Sequence, residues 1–114
     1  MSKEKAKVLF LGTQGHKKLN CGQAIIGAFK EKFNVSDATV CEFAKYGGGR
    51  APEGFCGALY AAQVILGKHP DKMKECEAVF LTLAGSAKCK DIRALKKLTC
   101  LGCVEKVAQC LEKI

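Results

Sequence analysis

Four cysteines, Cys21, Cys56, Cys89 and Cys103, share a local setting that could do chemistry. Cys21 follows Asn20, Cys56 follows a glycine-rich stretch, Cys89 comes just after Ser86, and Cys103 follows Gly102. Each reads as lying in the first turn of a helix or just before it. First-turn N–H groups lack intrahelical partners and the dipole end is positive, so a thiolate there is stabilised. Such cysteines are expected to have depressed pKa values and to react or bind metal. Cys100 joins them through Cys100-Leu101-Gly102-Cys103, a spacing that can chelate one metal or close into a disulfide. A single C-x-x-C does not make a zinc ribbon. Four separate cysteines converging from across the chain suit an iron–sulfur cluster, whose thiolates need backbone N–H donors that help to set its potential.

The stretch Gly47-Gly48-Gly49-Arg50-Ala51-Pro52-Glu53-Gly54 cannot be regular structure. Glycine lets backbone approach a ligand closely, so Gly47, Gly48 and Gly49, with Gly57 just beyond, are the candidate cofactor contacts. The same loop can equally do no more than end a helix and turn the chain. Arg50 and Lys88 stand near the cysteines in sequence and could offset a cluster's negative charge, or could be ordinary surface residues. His16 and His69 read as exposed loop residues.

The other cysteines have a different pattern. Cys41 and Cys76 fall mid-element on apolar helical faces, and Cys110 lies seven residues after Cys103 on the face of Val107. Free cysteine packs as a small hydrophobe, so all three are expected in the core.

Helices must position the site. Asn20 caps a helix whose apolar face is Ile25, Ile26, Ala28, Phe29 and Phe33. Ser36 caps a second over residues 37–46, with Val40, Cys41, Phe43 and Ala44 inward. A third covers 55–67, where Gly57 and Ala61 form a flat side for close packing. Pro70 opens a fourth, with Met73, Cys76, Val79, Phe80 and Leu83 at helical spacing, and Gly85 ends it. A short piece with Cys89, Ile92 and Leu95 precedes a last helix through Val104, Val107, Ala108 and Leu111.

Two apolar runs, 8–11 and 78–83, could instead be buried strands, because short runs do not reveal their period. The expectation is an all-α bundle of about five to seven short helices, with α/β as the alternative. VLFLGTQG at 8–15 opens like a nucleotide-binding unit, but GTQG lacks the third glycine of G-x-G-x-x-G, and GGGRAPEG lacks the ending of a P-loop.

The 114 residues suit a single domain, 1–114. No apolar run reaches the length of a membrane span, and no signal-peptide cleavage pattern follows Leu11, so a soluble cytoplasmic protein is expected. Eight cysteines without a secretory signal favour metal or redox chemistry over a disulfide scaffold. The net charge of +8 serves solubility or an acidic protein partner. Nucleic acid is not expected, because the lysines are scattered, Trp is absent and Tyr occurs twice.

Asn20-Cys21-Gly22-Gln23-Ala24, the glycine loop, Cys56-Gly57-Ala58, and then Cys89 and Cys103 together resemble the small bacterial and archaeal family named for its C…GCAxxG…C…C pattern. The resemblance runs from about Leu9 onward. Members of that family are described as redox-active proteins, and related domains occur fused to cytochromes of the split-Soret type. The resemblance implies helical structure at 8–11 and 78–83. It also implies family cysteines at Cys21, Cys56, Cys89 and Cys103, and electron transfer through an iron–sulfur centre. The chain departs from the pattern at Ala61, where the family has glycine, and in the length of the 12–19 loop. Cys100 could replace or assist Cys103.

Three functions follow as expectations. The first is electron transfer by a cluster on the four cysteines, exchanged with a redox protein partner, with a homodimer as one arrangement. The second is a metal-free thiol–disulfide protein or sensor using Cys100 and Cys103 or pairs among the four. The third is a structural zinc site.

Overall fold

A computed structural model describes residues 2–13, 15, 18–46, 50–67 and 69–113. Seven α-helices occur among them: α1 (Ser2–Leu11), α2 (Cys21–Phe29), α3 (Asp37–Glu42), α4 (Gly57–Ile65), α5 (Pro70–Ala84), α6 (Cys89–Leu95) and α7 (Cys100–Glu112). Short 3₁₀ turns occupy Phe43–Tyr46 and Pro52–Gly54. No strand occurs among the described residues, where the only β-type pairing is an isolated bridge between Phe55 and Lys88. Both ambiguous apolar runs are helical, 8–11 within α1 and 78–83 within α5, so the architecture is all-α.

The core forms where α2, the most apolar segment, is surrounded. It packs against α1, α4 and α7, and buries Ala24, Ile25, Ile26 and Phe29 completely. Leu59, Leu66, Val104 and Leu111 fill the facing positions from α4, the turn after it and α7. The α2–α4 crossing is close because each helix offers a glycine there. A methyl group on Gly22 would lie 2.8 Å from the Phe43 ring and 3.0 Å from the Gly57 carbonyl oxygen. One on Gly57 would lie 2.8 Å from the Cys21 sulfur. Contacts under 3 Å force a shift, so this crossing needs two residues without side chains.

Several elements end earlier than their periodicity predicts. The apolar pattern to Phe33 does not keep α2 going: it stops at Phe29, and Asn34 takes a left-handed φ of 58°. The second predicted helix divides into α3 and the 3₁₀ turn at Phe43–Tyr46. This division moves Cys41 and Ala44 to the outside, contrary to expectation, while Phe43 is buried against Tyr46 and Tyr60. On α5 only Cys76, Phe80 and Ala84 are buried, and the expected core residues Val79 and Leu83 face outward. Gly85 ends α5 at φ 85°, the left-handed conformation that glycine adopts without penalty.

The Cys76 and Cys110 sulfurs are joined as a disulfide linking α5 to α7, with Cα atoms 5.8 Å apart. Cys76 is buried as expected, but both residues act as a crosslink and not as separate core fillers. The remaining cysteines are thiols.

Candidate functional site: a cysteine-lined cavity

Cys21 is the first residue of α2, and its position is fixed by the residue before it. The Asn20 side-chain oxygen accepts the Gln23 N–H at 2.8 Å, and the Gln23 side-chain oxygen accepts the Asn20 N–H at 3.1 Å. This reciprocal capping box satisfies two otherwise orphaned donors. The Asn20 amide then donates to the Phe43 and Ala44 carbonyls, at 2.8 and 3.3 Å, and the Gln23 amide donates to the Val40 carbonyl at 3.1 Å. The start of α2 is thereby tied to α3 and the turn after it. Asn20→Ala removes the cap and the tether together, and should lower stability by about 1–2 kcal/mol in chemical denaturation. Asn20→Asp keeps the cap and should lose less.

Cys56 is the N-cap of α4, and its backbone N–H donates to the Ala87 carbonyl at 2.8 Å. With the Phe55–Lys88 bridge, this bond brings the start of α4 beside the start of α6, where Cys89 is the first helical residue. Cys103 is placed differently from expectation. The Thr99 hydroxyl accepts the Gly102 N–H at 2.9 Å and starts α7 at Cys100, so Cys103 sits one turn inside, with its own N–H bonded to the Thr99 carbonyl. Cys100, not Cys103, holds the first-turn position.

All four predicted cysteines, Cys21, Cys56, Cys89 and Cys103, line one cavity of about 400 Å³, and Cys100 lines it as a fifth. Gly57 is also in the wall, as expected. Gly47, Gly48 and Gly49 lie outside the described residues, as does His16. His69 is exposed, before α5. Lys88 is the N-cap of α6, and the cation beside the sulfurs is instead Arg93, with Lys96 also in the wall. Arg93 hydrogen-bonds the Cys100 sulfur and lies in the field of Cys89 and Cys21, which raises its own pKa, Cys89 contributing most. A sequence signal for it did exist, because Arg93 is four residues after Cys89 and therefore on the same helical face. Ile92, Leu98 and Thr99 complete the wall.

Within the cavity the thiols form a chain. Cys21 donates to Cys56, and Cys56 donates to Cys103. The backbone N–H groups of Ala58 and Gly22 point at the Cys21 sulfur, and that of Leu59 at the Cys56 sulfur. These are the helix-start donors expected from the sequence. The expected fall in pKa does not follow. The hydrogen bond to Cys56, with burial, pushes the Cys21 thiol far above its ordinary value. The hydrogen bond to Cys103, with burial, pushes Cys56 up to about 12, and burial raises Cys89. Buried sulfurs packed together disfavour charge more than three amide dipoles favour it. Arg93 opposes the rise at Cys89 without cancelling it, and Cys21, Cys56 and Cys89 stay protonated at neutral pH. Among the described residues, no three acidic, histidine or cysteine side chains converge closely enough to grip a single metal ion.

Among the described residues, no helix is long and apolar enough to cross a membrane. Comparison with family models, with curated proteins and with solved structures returns no match for this chain.

Proposed function

We propose that the protein is an electron carrier whose cavity holds an iron–sulfur cluster on Cys21, Cys56, Cys89 and Cys103. One observation carries this reading: five cysteine side chains from four helices line a single cavity of about 400 Å³. Tetrahedral zinc would need four sulfurs about 2.3 Å from one point, and hence roughly 4 Å from each other. Cys21 is hydrogen-bonded to Cys56 and Cys56 to Cys103, but among the described residues no three metal-binding side chains converge on one ion. A polynuclear group bridged by inorganic sulfide accepts ligands spread over the walls of a larger space, so the donor set suits it better than it suits zinc. The resemblance to the C…GCAxxG…C…C family agrees with this reading.

When bound, such a cluster supplies a one-electron redox couple. The chain's own contribution is to tune and shield it. The amides of Gly22, Ala58 and Leu59 direct N–H groups at sulfur, and such outer-shell bonds tune a metal centre. Arg93 and Lys96 offset the negative charge of deprotonated cysteines. Ile92 and Leu98 exclude water from one side. The net charge of +8 favours an acidic redox protein as the exchange partner, and the six free thiols suit a reducing cytoplasm.

The test is a visible spectrum with iron and sulfide analysis on protein purified and reconstituted without oxygen. The expected result is a broad absorption in the region of about 400 nm, bleached by dithionite, with iron and sulfide in matching amounts. A protein that stays colourless after reconstitution overturns the reading. The Cys21–Cys56–Cys103 thiol chain would then favour dithiol chemistry, because its members are already paired by hydrogen bonds.

A further inference from the structure

The bridge between α5 and α7 opens onto a second cavity, of about 250 Å³, that shares no residue with the first. Cys76 and Cys110 are both in its wall. The two sulfurs are not equally accessible: Cys76 is 6% exposed, whereas Cys110 is half-buried. Lys72, Lys106 and Lys113 also line it, each three or four residues from a bridge cysteine in the sequence, and Glu75 pairs with Lys72 at 4.0 Å. Val79 and Leu83 continue the wall as exposed apolar residues. A purely structural bridge is usually shielded, whereas accessible disulfides are the labile ones. Lysines near the sulfurs stabilise a departing thiolate and draw in an anionic reagent.

We infer that the Cys76–Cys110 bridge is a second redox site, reduced in the folded protein by an anionic dithiol that enters this cavity and attacks Cys110. A donor thiolate attacks Cys110 Sγ and forms a mixed disulfide as the Cys76–Cys110 bond breaks. Cys76 Sγ leaves with the electron pair and takes up a proton. The donor's second thiol then attacks its own sulfur in the mixed disulfide and releases Cys110 as a thiol. Two electrons and two protons pass from the dithiol to the protein, and the donor leaves as a disulfide. This exchange does not depend on a cluster in the first cavity.

The experiment uses the full chain, oxidised in air and kept folded as judged by circular dichroism. It is exposed to dithiothreitol, which is neutral, or to dimercaptosuccinate, which is anionic, then alkylated and mapped by mass spectrometry. Cys76 and Cys110 should be unmodified before reduction and alkylated after it, with no denaturant present. Lys106→Gln should slow the anionic dithiol several-fold relative to the neutral one. In separate variants, Cys110 of Cys76→Ser should form a mixed disulfide with an aromatic disulfide reagent roughly tenfold faster than Cys76 of Cys110→Ser. Two results would each overturn the inference: a bridge that resists both dithiols until the chain unfolds, or Cys76 and Cys110 found as thiols in the air-oxidised protein. Equal rates in the two variants would overturn the attack on Cys110. The unmodified chain answers the first question even if a variant fails to fold.

Discussion

Replacing Cys56 with serine is expected to reduce the iron retained after anaerobic reconstitution by at least about tenfold, while Cys41→Ser retains the full amount. Cys56 is 5% exposed and sits in the middle of the thiol chain, hydrogen-bonded to Cys21 on one side and Cys103 on the other. Serine preserves its size but substitutes a hard oxygen, poorly matched to a group that selects soft thiolate ligands. Cys41 is an exposed thiol on α3 and lines no part of the cavity. It therefore controls for the loss of a thiol as such. Cys76→Ser should also keep its iron, because that residue faces the other cavity. Iron and sulfide assays across all eight single replacements separate the outcomes. Full metal in every variant would mean that no four-cysteine site exists.

The largest loss of stability is expected from Phe29→Ala. Phe29 is fully buried at the end of α2, where that helix packs on α1, α4 and α7, and its ring lies 6.1 Å from that of Phe33. Truncating a buried phenylalanine loses its transfer free energy and leaves a cavity, together about 3–5 kcal/mol. For a domain of this size the melting temperature should fall by roughly 10–20 °C in a thermal scan followed by circular dichroism. Val64→Ala makes a useful comparison, because Val64 is 42% exposed and its truncation should cost no more than about 0.5 kcal/mol. Similar losses from both would mean that α2 is not the centre of the core.

What could be read from the sequence was mostly local. Asn20 before Cys21, with Gln23 three residues on, specifies a helix start within four residues, and the structure contains that capping box. Pro70 and Gly85 bound α5 for equally local reasons. The gathering of Cys21, Cys56 and Cys89 around one cavity could be anticipated because each stands at the start of an element, whereas Cys103 reaches the same cavity from one turn inside α7. Cys41 is exposed, contrary to expectation, because an apolar periodicity says which residues share a face, not whether a neighbour covers it. α3 is only six residues long and has no fully buried residue, although Val40 packs partly against the core. The Cys76–Cys110 bridge joins residues 34 apart, and no short pattern encodes that contact. The direction of the thiol pKa shifts is hidden from the sequence for a related reason. Helix-start dipoles are visible in sequence, but the packing of one sulfur against another is tertiary and dominates them.

The wall of the cysteine cavity is divided unevenly along the chain. Cys21 and Cys56 belong to α2 and α4, which pack on each other, whereas Cys100 and Cys103 belong to α7, which packs on α1, α2 and α4. Chains are synthesised from the N-terminus at about 5–20 residues per second, so α7 emerges seconds after α4. During that interval the nascent protein has the Cys21–Cys56 pair but neither Cys100 nor Cys103. On the proposed cluster reading, two thiols supply half of the four ligands, so such a chain would lack the full set. Docking of α7 is then the step that completes the cavity wall.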